Sequence, residues 1–450
     1  MNNSPYCPQI LIRPSTICIL VTMNAQKQVR DWLIDLRRDF HRYPEPAWCE
    51  YYTMDRIVNE VTNIGVDEMY VGRDALAPTE RMSIPSDDVH DQWLENAREL
   101  GADSDLLAEM SGGYTGAVVT LKEGDGPTIA LRVDIDGLYI NESTEHDHLP
   151  AAEGFRSENE QTMHACGHDA HMTIGLGVLE ALKESEFEGT FKLFFQPAEE
   201  RGSGGKPMAA SGRLDGVDYL LALHVGLGHP TGEIVAGMVR PLANIKFTAE
   251  FSGESSHAGV APEAGKNAIQ ALGTAIQNSY AIPRHGEGAT RVNIGRVEGG
   301  TASNIISDNV RIEAEARGET TELMEYTFKR LKQVLRQSAT MHDCDVDFEI
   351  TGHSPRADSN EDLSAMVYEA SKGIDGVTES IMQADFGGSE DATCLMNAVE
   401  DNGGKAAYSI IGTDHPAGHH NSRFDIDEAS LRIGVETICD AIVRVSRERP

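Results

Sequence analysis

Positive charge is scarce in this 450-residue chain. Only 38 Lys and Arg stand against 72 Asp and Glu, a formal net charge of −34 at pH 7. The basic residues are mostly Arg, Lys is rare, and the acids are spread along the chain with no acidic tail. A surface of that sign repels phosphates, which argues against nucleic acid or an anionic membrane as a partner. It also stays hydrated where salt screens charge strongly, so a halophilic host is one expectation; a moderately acidic mesophilic protein is the other. Long apolar runs are missing too. The N-terminal one, in "MNNSPYCPQILIRPSTICILVTMNAQ", is interrupted by Arg13 and Pro14, is too short to span a bilayer, and is followed by no small-residue cleavage site. Met23 is therefore a candidate start, with 1–23 as an extension, and a cytoplasmic location is expected. Cysteines number seven, an odd count widely spaced, which excludes a disulfide framework and fits a reducing compartment. Internal repeats and low-complexity segments are absent.

What remains is an apolar fraction of 40%, that of an ordinary globular protein, in a chain long enough for two or three domains. Helical periodicity runs from Val29 to Ile64, broken at Pro44. "AVVTLKEGDGPTIALRVDIDGL" reads as two strands around a Gly-rich turn, the second ending at Asp134 and Asp136. A helix follows in "HMTIGLGVLEALKE"; "GTFKLFFQPAEE" is a buried strand running into Glu199 and Glu200, and "VDYLLALHVG" another running into His224. Strands alternating with helices, and polar residues gathered at strand ends, predict an α/β fold with its site at the carboxyl edge of the sheet. From 239 to 353 the order becomes β-α-β-β-α-β, the split arrangement of ferredoxin-like domains. An inserted domain over 239–353 is thus expected between the two parts, 24–238 and 354–450, of a larger domain with a mixed central sheet.

The stretch "MHACGHDAH" concentrates the chemistry. Cys166 and His168, Glu199 and Glu200, His224, and the pair His419 and His420 near the C-terminus all fall at predicted strand ends or in loops. Thiolate, imidazole and carboxylate together suit zinc or another first-row divalent ion. A helix N-terminus just after Cys166 is expected to lower its thiol pKa. Taken singly, each cluster is as well explained by a buried thiol, a solvated turn or a backbone-bonded loop histidine. A cysteine nucleophile with one imidazole base is the other chemical reading, but it leaves five ligand-type side chains without a task. Two ions would activate a water and polarise a carbonyl, and such a site also wants a carboxylate free of metal to move the proton; one of Glu199 and Glu200 is the candidate.

"RVDIDGL", "MHACGHDAH", "FFQPAEE", "LHVG", "SSHAGVAPEAGKNAI", "NIISDNVRIEAEARG" and "GHHNSRFDIDE", in this order, resemble the M20 metallopeptidase/amidohydrolase family, in its aminoacylase-like subgroup. The resemblance covers nearly the whole chain past Met23. It implies a zinc-exopeptidase-like catalytic domain whose inserted ferredoxin-like domain serves as lid and dimerisation unit. It also implies two divalent ions, Mn or Zn. Cys166 would bridge them, with His168, Glu200, His224 and His420 completing the ligands, His420 rather than His419 because it keeps the family spacing to Phe424. Glu199 would be the general base and acid. Asp134 and Asp136 would support the ligands, His257 would reach a neighbouring subunit's site to steady an oxyanion, and Asn304 and Arg317 would grip the substrate's α-carboxylate. The implied reaction is hydrolysis of an N-acyl or N-aroyl amino acid. Through the segment 72–116 and "GGSEDAT" the resemblance implies p-aminobenzoyl-glutamate as substrate. Indole-acetyl, benzoyl and N-acetyl amino acids are the alternatives, as is a non-catalytic scaffold role. The implied assembly is a homodimer or a hetero-oligomer with a homologous subunit.

Overall fold

Along the strands Thr128–Asp134, Gly189–Gln196 and Tyr219–Val225 almost every residue is buried, because the sheet they form is covered on both faces. Alternate side chains go to opposite sides, as strand geometry requires. Ile129, Leu131 and Val133, with Phe191, Leu193 and Phe195, join one core; Ala130 and Phe194 join the other. This is a computed structural model, and it describes residues 23–450. The stretch before Met23, with Cys7 and Cys18, lies outside the described residues.

The eight-stranded sheet is mixed. Its spatial order is Glu68–Val71, Ala117–Glu123, Gly189–Gln196, Thr128–Asp134, Tyr219–Val225, Lys405–Ile411, Glu233–Val235 and Glu379–Ile381. Its centre is parallel: 128–134 pairs in parallel with both 189–196 and 219–225, and 405–411 with 219–225. Helices Met23–Arg42, His168–Lys183 and Ala429–Glu448 pack on one face. The carboxyl ends of the parallel strands therefore bring Asp134, Gln196 and His224 to one edge.

A second sheet holds Ala243–Ser252, Thr290–Gly299, Asn309–Gly318 and Asp345–Ser354. Every neighbouring pair in it is antiparallel, and the strand that comes first in the chain is central. With helices Ala268–Tyr280 and Thr321–Met341 on one face, this is the split βαβ arrangement, around its own core of Phe247, Phe251, Leu331 and Leu335. It touches loops of the larger unit near the site: the His353 N–H donates to Gly202 O (2.8 Å) and the Ser83 hydroxyl to Thr351 O (2.6 Å). No disulfide links the five described cysteines, all of them buried. No helix among the described residues is long and apolar enough to cross a membrane.

Candidate metal centre

Gly167 explains the Cys-x-His spacing. It sits at φ +86° just ahead of the helix His168–Lys183, and a Cβ there would come within 2.4 Å of Val225 Cγ2. The turn needs a residue at ease in the left-handed region with no side chain, and it aims Cys166 and His168 at the same place. At the end of strand 189–196, Ala198 also has positive φ (56°), a strained turn that presents Glu199 and Glu200 side by side. The backbone N–H groups of both glutamates donate to the Asp136 carboxylate, at 3.0 and 3.1 Å.

These devices bring together most of the residues singled out in the sequence. Cys166, His168 and His224 form one group of donor atoms within 4.8 Å of one another, and Cys166, Glu200 and His420 form a second. Cys166 belongs to both, which is the place of a bridging ligand. His168 also groups with Glu199 and Glu200, and with Asp134 and His171. His224 Nδ1 lies 2.8 Å from Val225 O, so that nitrogen donates and Nε2 is left facing the Cys166 sulfur at 3.5 Å. The Val225 N–H donates to His171 Nε2 (2.9 Å), which puts the proton of that neutral ring on Nδ1, 2.5 Å from Asp134 Oδ1. His419 turns away: Nε2 lies 3.2 Å from Val225 O, and the ring packs on Phe424.

The donor set fits divalent metal. Both ring nitrogens of His168 and one carboxylate oxygen of Glu200 are buried with no hydrogen-bond partner among the described residues, although His168 Nδ1 lies 3.3 Å from Asp136. Buried polar atoms are rarely left so. The titration shifts agree. Burial, then Glu390 and Glu200, push the Glu199 carboxyl well up. Burial raises Glu200 to about 7 against the opposing pull of His168. Burial drives His224 far down, keeping it neutral. His168 rises to about 10, because Asp134 and Asp136 outweigh its burial. Carboxyls and a thiol crowded in one dry place repel one another as anions, and a bound cation reverses that balance. The expected lowering of the Cys166 thiol is not found. Burial and the adjacent Glu200 and Glu199 push it well above its ordinary value, outweighing the helix terminus.

Three predicted site residues lie in the second sheet's unit. His257 joins none of these donor groups; it is exposed on a two-residue ribbon paired with Ile305–Ile306, and the next N–H, of Ala258, donates to Asn304 O (2.9 Å). Arg317 has its fork on Glu315, at 2.9 and 3.0 Å. Sequence reasoning missed Glu390 and Asp391, which group with Glu199, and the buried Arg132 that holds them. All three sit inside "RVDIDGL" or "GGSEDAT", so their closeness in sequence to other conspicuous residues was the available signal.

Known proteins resemble this chain over most of its length. Residues 130–444 match the peptidase family M20/M25/M40. Indole-3-acetyl-aspartic acid hydrolase of Enterobacter agglomerans is 39% identical over 92% of this chain and 95% of its own. The A subunit of p-aminobenzoyl-glutamate hydrolase from Escherichia coli is 39% identical over 89% and 93%. Among solved structures, an aminobenzoyl-glutamate utilization protein from Klebsiella pneumoniae superposes with a TM-score of 0.82 at 31% identity, over 95% of this chain and 99% of that one. This chain is accordingly a hydrolase and belongs to peptidase family M20/M25/M40.

Proposed function

We propose that this chain is a metal-dependent amidohydrolase that splits p-aminobenzoyl-glutamate into p-aminobenzoate and glutamate. The observation that carries this reading is Cys166 shared between two groups of ligand-type side chains, with Glu199 grouped beside them with His168 and Glu200. Cys166, His168, Glu200, His224 and His420 would hold two divalent ions, zinc by the thiolate and imidazoles or manganese by the carboxylate. Bound there, the ions would make water nucleophilic near neutral pH and polarise the amide carbonyl. Glu199 Oε takes the proton of the attacking water and hands it to the leaving amide nitrogen, so the amine departs neutral. Asp136 fixes the backbone of Glu199 and Glu200 through its two N–H contacts, while Asp134 holds His171 against the strand end.

The unit 239–353 acts in this reading as lid and dimerisation domain, with 24–238 and 354–450 as the catalytic domain. Asn304 and Arg317 hold the α-carboxylate, and exposed His257 is available to the site of a second copy, where it would steady the oxyanion. The Escherichia coli relative is one component of a multi-subunit hydrolase, which supports a hetero-oligomer with a homologous partner; a homodimer is the alternative. Cytoplasmic location is part of the same proposal. A second reading changes only the acyl group, to indole-acetyl, on the strength of the relative acting on indole-3-acetyl-aspartic acid.

The test is Glu199→Gln in the manganese- or zinc-loaded protein. Bound metal, counted by elemental analysis, is expected to match wild type while kcat falls by about 10²–10⁴-fold, the usual worth of a positioned acid–base group. Chelation is expected to abolish hydrolysis by wild type and re-addition of metal to restore it. Full activity in a metal-replete Glu199→Gln protein would remove Glu199 from the mechanism.

A further inference from the structure

The open face of the second sheet and the turn carrying Glu200 enclose a cavity of about 610 Å³ whose lining includes Glu200, Arg201, Lys246, Arg296, Arg311 and Glu315. Four cations line this hollow together with the carboxylates Glu200, Glu313 and Glu315, in a protein with 72 acids and 38 bases. Part of that charge is already matched. Arg296 pairs with Glu298 and Glu313, and the Arg317 fork is taken by Glu315. Among the described residues Lys246, Arg201 and Arg311 make no ion pair within 4.0 Å, although Lys246 is near enough to the Glu200 carboxyl to pull its pKa down. The half-buried Lys246 donates from Nζ to a backbone oxygen, Glu200 O, at 3.2 Å. Arg201, also half-buried, donates to Ser83 O at 3.2 Å, and Ser83 is anchored on the sheet through Thr351. Arg311 is exposed at the cavity wall.

A chain of net charge −34 repels a dianionic substrate, so a site for one needs local positive charge that its own acids do not neutralise. Lys246 Nζ meets the backbone one residue past Glu199, which sets a cation beside the reacting centre at about the reach of an amino-acid side chain. We infer that Lys246, flanked by Arg201 and Arg311, recognises the side-chain carboxylate of an acidic acyl-amino acid in the cavity beside Glu200. The inference rests on the amidohydrolase reading above and adds the source of its preference for an acidic amino acid. Lys246 is a specificity residue here, not a catalytic one: Arg317 and Asn304 take the α-carboxylate, and Lys246 takes the second charge.

The purified, metal-loaded chain is assayed on p-aminobenzoyl-glutamate and p-aminobenzoyl-glutamine, which differ by one charge. Wild type is expected to favour the glutamate in kcat/KM by about 10- to 100-fold, the worth of one charged hydrogen bond. Lys246→Met is expected to bring that ratio close to one, chiefly by raising KM for the glutamate, and Lys246→Arg to restore it. Arg201→Gln, made in parallel in case Lys246→Met is unstable, is expected to lower the ratio in the same direction. A wild-type ratio near one, or an equal fall in kcat for both substrates in Lys246→Met, would overturn the inference; the second result would mean that Lys246 only positions Glu200. If neither substrate is hydrolysed, by the chain alone or with a co-expressed homologous subunit, the functional reading fails by itself. Calorimetric titration with glutamate and glutamine then decides: glutamate favoured by wild type and not by Lys246→Met sustains the anion site, and equal or absent binding of the two overturns it.

Discussion

Arg132 is fully buried, and its guanidinium ties three chain segments together at the site's edge. It donates to Gln196 (2.8 Å) and Asp134 (2.7 Å) and reaches Glu390 (3.1 Å) and Asp391 (3.3 Å). Gln196 and the N–H groups of Gly204 and Gly205 in turn donate to Asp391, and the Tyr408 hydroxyl to Glu390. Removing the one cation from such a network leaves buried anions unmatched, a loss of about 3–5 kcal/mol. Arg132→Leu is therefore expected to lower the midpoint of urea unfolding by that free energy, and also to weaken metal retention, because Asp134 loses the partner that fixes it against His171. A variant as stable as wild type would show that the acids re-protonate at little cost. The contrast with Cys166 and His168 explains what could be read in the sequence. Those two are separated by a single glycine and announce themselves. Arg132 and Glu390 are 258 residues apart, and nothing short-range records that they meet. The same limit applies to Lys246, which carries no motif and becomes conspicuous only when its charge is seen beside Glu200.

Among elements, those with a clear period were legible. The strands at 128–134, 189–196 and 219–225 are apolar on both faces, and helix 168–183 buries nearly all its length, so each stands out. Strands 233–235 and 379–381, the last two at one side of the sheet, are too short to show any alternation. Helix Asp87–Glu99 buries only His90, Trp93, Leu94 and Ala97, a stripe too narrow to separate from a polar loop. How helices dock was less legible still. Helix 23–42 is pinned by buried charge: His41 lies 2.8 Å from Asp169 and 3.0 Å from Glu142, and Arg37 donates to Asp169 and Asp425. Burial and Arg37 oppose protonation of His41, but Glu142 and Asp169 prevail and raise it to about 9. Glu142 falls to about 2, burial being outweighed by His41 and His148. The His41 contribution is thus complete below pH 6.5 and is lost as pH rises through 9. That of Glu142 is complete above pH 4.5 and is lost as pH falls through 2. Stability from this joint is expected to peak between pH 4.5 and 6.5 and to decline on the alkaline side by roughly 2–3 kcal/mol. His41→Gln should flatten that alkaline limb in urea titrations run at successive pH values. An alkaline limb as steep in the variant as in wild type would assign the decline to other groups.

At the scale of the whole molecule, the order of strands is the least local property. Strand 405–411 lies beside 219–225, although the whole second sheet separates them in the chain. The periodic pattern identified the interruption and the return, while the neighbours chosen on return depend on shape. Net charge, by contrast, was fully legible and has its consequence here. With 72 acids against 38 bases, many carboxylates have no cation to pair with, and the folded state concentrates their repulsion. Salt acts on two opposing effects. It weakens exposed pairs such as Arg98–Glu95 and Arg296–Glu298, each worth only about 0–1 kcal/mol. It also screens the net repulsion, shortening the Debye length from about 10 Å at 0.1 M to about 3 Å at 1 M. Because acids exceed bases almost twofold, the second effect is expected to win. Raising KCl from about 0.1 to 1 M should then raise Tm by roughly 5 °C, as about 2 kcal/mol does in a domain of this size class. KCl suits the test better than sulfate, which stabilises almost any fold by exclusion from its surface. A flat or falling Tm would mean that the exposed pairs outweigh the net charge, and that the acidic surface places no electrostatic load on the fold.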